Sequence, residues 1–223
     1  MDRDGPSVEA ITRATYDNIA EEYCRDTPAP VVRETIKRQA DEFNSHLRIG
    51  SAIAILGCGD GRDAGWFLDW GHRVCLVDYS RAMANLARKR VADSHVLLAD
   101  FRFLPFARNS FDAVWASACF YHVRKSFVRG IFDQILDVLR PGGLLFFNLR
   151  KGTGEKLDPH PRSFPRGGPR FYAFYSESEV NELVSMFEVI RVESFDAVLK
   201  DDYFQLIVRK QEKSDEQIQN RQT

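Results

Sequence analysis

His122 and Tyr121 follow an apolar run that closes at Ser117. A histidine beside a tyrosine at such a point can take a proton from a bound nucleophile, and an ordinary histidine titrates near ~6.5. The plain alternative is a loop histidine bonded to nearby backbone. Asp78 and Asp100 each close another apolar run, the first begun at Val74 and the second at Val96. A carboxylate there only accepts hydrogen bonds, so it suits hydroxyl or amino groups of a ligand. Gly57, Cys58, Gly59, Asp60 and Gly61 follow the run Ala52 to Leu56, where the chain must turn sharply and bring bare backbone N–H groups near a ligand. No Cys, His or acid cluster has metal-ligand spacing, so no metal is expected. Neither a Gly-x-Ser-x-Gly elbow nor a phosphate-binding Gly-Lys-Ser/Thr loop is present.

The elements that must position these groups read in order. Ala52 to Leu56 has no polar alternation and suits a parallel strand buried on both faces. The glycine turn follows, then a helical stretch from Arg62 to Trp70, then a second apolar run from Val74 to Val77 stopping at Asp78. Strand, glycine turn, helix, strand and acid make half of a nucleotide-binding unit. Arg62 stands where a dinucleotide-binding turn needs its third glycine, which disfavours NAD. Further strands are expected near 96–101, 110–117 and 144–149, with two more at 189–192 and 204–208. Helices are expected at 81–92, capped by Ser80, and from Ser176 to about Met186. Another helix, with Phe127, Val128, Ile131, Ile135, Leu136 and Leu139 inward, ends at the stop signal Arg140-Pro141-Gly142-Gly143.

The loop Gly-Cys-Gly-Asp-Gly-Arg-Asp, with Asp78, Ala99-Asp100-Phe101 and Ser110-Phe111-Asp112 in register, resembles the class I S-adenosylmethionine-dependent methyltransferases over residues 16–209. The resemblance implies a single Rossmann-like, doubly wound, mostly parallel seven-stranded sheet with helices on both faces. It also implies S-adenosylmethionine as cofactor. Gly57, Cys58, Gly59, Asp60 and Gly61 would line it, Asp78 would hold the ribose, and Tyr79 would face the adenine. Asp100 would accept from the adenine amine, with Phe101 beside it and Ser117 at the fourth strand's end. Tyr16-Asp17-Asn18-Ile19-Ala20-Glu21-Glu22-Tyr23 is similar to the family's N-terminal cover helix, so Tyr16 and Tyr23 join the cofactor set. One position departs from the pattern: two residues before Gly57 the family often has an acid, and here stands Ile55. Either Asp60 or a backbone carbonyl takes that role, or cofactor affinity is reduced.

A chain of 223 residues fits one large domain. We expect a loose start (1–10), a body over 11–210 and a disordered tail (211–223). Lys+Arg 31 against Asp+Glu 32 disfavours nucleic acid as a general partner. Cys24, Cys58, Cys75 and Cys119 form no Cys-x-x-Cys pair and read as reduced core thiols of a cytoplasmic protein. No apolar run reaches membrane-span length, and monomer and homodimer are both open. Residues 150–175 carry Pro159, Pro161, Pro165 and Pro169 and six basic residues against two acidic ones up to Arg170. An irregular lid or substrate loop is expected there, with Arg150, Tyr172 and Tyr175 contacting a small, anionic or aromatic substrate. The leading expectation is methyl transfer to oxygen or nitrogen of a small molecule, with His122 as base and Tyr121 as its backup. The alternatives are an RNA or protein substrate, or a catalytically silent cofactor-binding subunit.

Overall fold

The first strand, β1 (Ala52–Leu56), shows why its sequence lacks alternation. Ala54 and Leu56 pack on one side of the sheet and Ile53 and Ile55 on the other, and all four are buried. The chain is described here by a computed structural model covering residues 5–26, 30–161, 167–196 and 202–211. β1 pairs in parallel with β2 (Arg73–Asp78) on one edge and β4 (Phe111–Ala116) on the other. β3 (His95–Leu98) flanks β2, and β5 (Leu139–Lys151) flanks β4. The far edge is antiparallel: β9 (Asp202–Lys210) pairs with β5 and with β8 (Phe187–Asp196). The main sheet thus has seven strands in the order β3-β2-β1-β4-β5-β9-β8, with β9 alone reversed.

Helices cover both faces. Ala40 and Phe43 of α2 (Pro30–Ser45), Ala64 and Phe67 of α3 (Arg62–Asp69), and Ala84 and Ala87 of α4 (Arg81–Arg90) bury Ile53, Ile55, Leu76 and Trp115. On the opposite face Val128, Ile131, Phe132 and Ile135 of α5 (Lys125–Val138) and Val180 and Leu183 of α6 (Glu177–Leu183) bury Leu56, Val114, Leu145 and Phe147. Phe127, expected inward, is partly exposed, and Phe132 takes a buried place instead. Ser80 caps α4 by accepting from the Met83 N–H at 3.2 Å, and Ser176 with Glu179 forms a capping box on α6.

Two expectations need correction. α1 (Val8–Asp26) begins inside the stretch expected to be loose, and Glu9 is buried. Residues 150–175 are not irregular throughout. β6 (Glu155–Asp158) and β7 (Arg170–Tyr175) form an antiparallel hairpin. Arg150 pairs with Phe174 of β7 and also with Tyr203 of β9. β7 therefore takes the edge of β5 that β4 occupies lower down, and its aromatic run supplies the strand propensity that the nearby prolines mask. Residues 162–166, and the tail beyond 211, lie outside the described residues.

Candidate functional site

β1 leads to β2 on one side and pairs with β4 on the other, so a crevice opens beyond the carboxyl ends of β1 and β4. A cavity lies there, enclosing about 1020 Å³ of atom-free space with its open mouth included. Among its wall residues are Gly57, Cys58, Gly59, Asp60, Asp78, Tyr79, Asp100, Phe101 and Ser117, with Tyr16, Tyr23 and His122.

The glycines serve different ends. Gly57 (φ +62°) lies so close to the loop after β4 that a Cβ would sit 2.5 Å from Cys119 Cβ. Gly59 (φ +56°) faces open space, where a Cβ would meet nothing within 4 Å, so a ligand can approach its Cα closely while its N–H is held by Asp78. Gly61 starts α3 and packs on Ala87 of α4 rather than joining the cavity wall. Gly57→Ala is expected to destabilise the fold by about 2–4 kcal/mol, overpacking and left-handed strain together. Urea unfolding of the ligand-free variant measures this, and an unchanged midpoint would contradict the close approach.

Asp78 is buried and accepts from the Gly59 and Ser80 N–H groups, each at 2.8 Å. Burial pushes its carboxyl up to about 6, against the opposing pull of those backbone donors. The guanidinium of Arg13 lies 5.0 Å over the Tyr79 ring. Asp100 reaches the cavity, but both its oxygens are held by Arg102, with Nη2–Oδ2 at 2.6 Å. Arg102 is in turn 3.5 Å from the buried carboxylate of Glu9 on α1. Asp100 is therefore not the open acceptor expected from sequence. An adenine amine there would share it with Arg102.

Ile55 is buried against α2 and α3 and takes no part. Asp60 is ion-paired with Arg90. A different acid, Asp63 at the start of α3, stands in the cavity wall. It accepts from Trp115 Nε1 at 2.9 Å and from Arg62 Nε at 2.7 Å. Ser117 lines the cavity with a buried hydroxyl that finds no hydrogen-bond partner among the described residues.

α1 closes the site by several bonds. Asp17 accepts from the Ser80 hydroxyl and the Ala82 N–H at 2.7 and 3.1 Å. Thr12 Oγ1 accepts from the Phe171 N–H at 2.9 Å, and the Thr15 hydroxyl donates to the Pro169 carbonyl at 2.6 Å. His122 Nδ1 is 2.7 Å from the Phe171 carbonyl, which can only accept, so Nδ1 carries the proton. Nε2 is then an acceptor for the Tyr16 hydroxyl at 3.0 Å. Burial first, and the charges of Arg170 and Arg150, pull His122 down to about 3, against the bond to Phe171. The ordinary histidine range expected from sequence does not hold here.

Tyr121 and Tyr172 lie apart from the cavity wall, stacked on each other at 6.2 Å. Tyr175 does not join them. It stands an odd number of residues from Tyr172 on β7, so it faces the opposite side and packs in the α5/α6 core, with Lys125 over its ring at 4.9 Å. Sequence reading missed Glu9, Arg102, Asp63 and Tyr203, and took Arg170 only as one of the basic residues of a loop. Only the aromatic run after Arg170 signalled any of this, as a strand.

The strand order, the glycine turn and the acid closing β2 make a Rossmann-like fold similar to that of class I, S-adenosylmethionine-dependent methyltransferases. Residues 55–147 match the family model described as "Methyltransferase domain". The malonyl-[acyl-carrier protein] O-methyltransferase of Salmonella typhimurium is 33% identical over 126 residues, 49% of each chain. The chain spans about half the length of the curated relatives it matches. Among solved structures, the Burkholderia thailandensis 1,6-didemethyltoxoflavin-N1-methyltransferase, with its substrate and S-adenosylhomocysteine bound, superposes with TM-score 0.71 at 22% identity. That match covers 95% of this chain and 94% of that one. The [4+2]-cyclase SpnF superposes with TM-score 0.73 at 16% identity, covering 92% and 97%. These two likenesses bear on the fold, which hosts more than one chemistry. Among the described residues no helix is long and apolar enough to cross a membrane.

Proposed function

We propose that the protein transfers a methyl group from S-adenosylmethionine to an oxygen or nitrogen of a small molecule. One observation carries this: a single cavity brings together the glycine turn at Gly57 and Gly59, the Asp78 carboxylate and the Tyr16–His122 pair. The residues fit the cofactor, since Asp78 keeps lone pairs for a ribose diol and the buried Ser117 hydroxyl is available. Asp63 stands in the cavity wall as an acid where Ile55 offers none, shared with Trp115 and Arg62. When bound, the cofactor supplies a methyl activated by sulfonium charge.

The chain's own groups align the nucleophile, exclude water beneath α1 and take up a proton. In that role the nucleophile's proton passes to the Tyr16 oxygen as the Tyr16 proton moves to His122 Nε2. The bond from Nδ1 to the Phe171 carbonyl then steadies the resulting imidazolium. The test is transfer of labelled methyl into fractionated cell extract. Label in the small-molecule fraction supports the reading, and label confined to RNA or protein overturns it.

Two pH dependences follow. With Asp78 at about 6, the ligand-free protein is protonated there at lower pH, whereas ribose hydroxyls bind the carboxylate. S-adenosylhomocysteine affinity should therefore weaken as pH falls through 6, with release of up to one proton on binding. Calorimetry in buffers of different ionisation heat reads that proton. His122, at about 3, is already the neutral acceptor at every higher pH. For an uncharged substrate, turnover at saturation should show no limb near the ordinary histidine value of about 6.5. A limb there would show that His122 is solvated in the working enzyme.

A further inference from the structure

We infer that Glu9 sets the preference for an adenine amine, by drawing the Arg102 side chain off Asp100; this rests on the methyl-transfer reading. Glu9, Arg102 and Asp100 all stand in the wall of the one cavity. A carboxylate offers about four lone-pair sites, and Arg102 fills those of Asp100. Oδ1 accepts from the Arg102 N–H at 2.9 Å and from its Nε at 3.1 Å. Oδ2 accepts from Nε at 2.9 Å and from Nη2 at 2.6 Å. An adenine amine must donate, so it gains Asp100 only when a side-chain bond of Arg102 is released.

The place to which that side chain can go is already built. Glu9 is 5% exposed, and its Oε2 makes no hydrogen bond among the described residues. That oxygen lies 3.5 Å from Arg102 Nη1, beyond the usual hydrogen-bond length. Its Oε1 is engaged elsewhere, accepting from the Arg124 N–H at 3.3 Å. A small shift of the guanidinium turns the Glu9 ion pair into a hydrogen bond and frees a lone pair of Asp100. The Arg102 backbone need not follow. Gln134 of α5 donates to the Arg102 carbonyl at 2.7 Å and accepts from the Leu104 N–H at 2.8 Å. The guanidinium itself rests 5.0 Å over the Phe127 ring, which does not compete for its strong donors.

Glu9 also carries the effect toward the reacting groups. Thr12 and Tyr16 follow it along α1 at helical spacing and share its cavity face. A tighter bond from Glu9 to Arg102 holds α1 down where Tyr16 meets His122. An amine-bearing cofactor and a closed α1 thereby favour each other.

The test compares S-adenosylhomocysteine with S-inosylhomocysteine, whose carbonyl oxygen replaces the adenine amine, by calorimetry on the full chain. The unmodified protein should bind the amine compound about tenfold or more tightly, since a charged acceptor is satisfied only there. In Glu9→Gln, Arg102 stays on Asp100 and presents donors. This variant should therefore bind S-adenosylhomocysteine about tenfold more weakly, and S-inosylhomocysteine as well as before or better. Arg102→Lys keeps a cation for Glu9 but cannot fork onto both oxygens of Asp100. It should bind S-adenosylhomocysteine at least as tightly as the unmodified protein, and adding Glu9→Gln to it should cost little. A fall in S-adenosylhomocysteine affinity in Arg102→Lys overturns the role of Glu9, and decides the matter if Glu9→Gln fails to fold. If the unmodified protein discriminates and Glu9→Gln keeps the same ratio, Glu9 only braces α1, and the methyl-transfer reading stands without it. If the unmodified protein binds neither compound, both fall.

Discussion

Exchanging His122 for alanine is expected to lower turnover by about 10²-fold, the low end of what a positioned proton acceptor contributes, because burial leaves the ring a weak base. Affinity for S-adenosylhomocysteine should change little, because His122 touches the cavity from the loop after β4 and not from the glycine turn or from Asp78. The geometry makes this specific. Nδ1 is committed to the Phe171 carbonyl, so the ring cannot turn without losing a bond, and Nε2 is the one nitrogen available to accept. Tyr16→Phe separates the relay from a direct role. If the proton passes through the Tyr16 hydroxyl, this variant should lose turnover nearly as far as His122→Ala. If the substrate displaces that hydroxyl and reaches Nε2 itself, the loss should be small. Turnover and cofactor binding falling together in His122→Ala would show that the histidine only braces β7 against the loop.

Asp78→Ala should weaken cofactor binding by about 100-fold or more. Two ribose hydrogen bonds to a charged acceptor are worth about 1.5–3 kcal/mol each. The same change leaves the Gly59 and Ser80 N–H groups without the carboxylate that now fixes the turn. Asp78→Asn separates these effects. It keeps an oxygen for Gly59 but loses the charge, so its affinity should fall less and lose its dependence on pH near 6. Affinity unchanged in both variants would refute the ribose assignment.

How far the sequence could be read depended on the range of the interactions. Ala52 to Asp78 was legible because strand, turn, helix and acid lie side by side in the chain, although the contacts of Gly57 with Cys119 and of Gly61 with Ala87 are not local. The caps Ser80 and Ser176 were legible for the same reason. Asp100 was placed correctly at the cavity, but its partner was not foreseen. Arg102 is oriented by Glu9, which only the folded chain brings near, and α1 begins earlier than its composition suggested. Tyr172 and Tyr175 seemed equivalent in a loop. As members of β7 they face opposite sides of the sheet, and only Tyr172 reaches Arg150. The histidine's depressed basicity could not be anticipated either, because it depends on burial and on two arginines from β5 and β7.

The most direct measurement is calorimetric titration of the full chain with S-adenosylhomocysteine, repeated with NAD and with the Asp78→Ala variant. Saturable one-to-one binding of S-adenosylhomocysteine is expected, with none of NAD and a large loss in the variant. Binding of NAD in preference, or no heat with S-adenosylhomocysteine at high concentration, would contradict the assignment of the cavity.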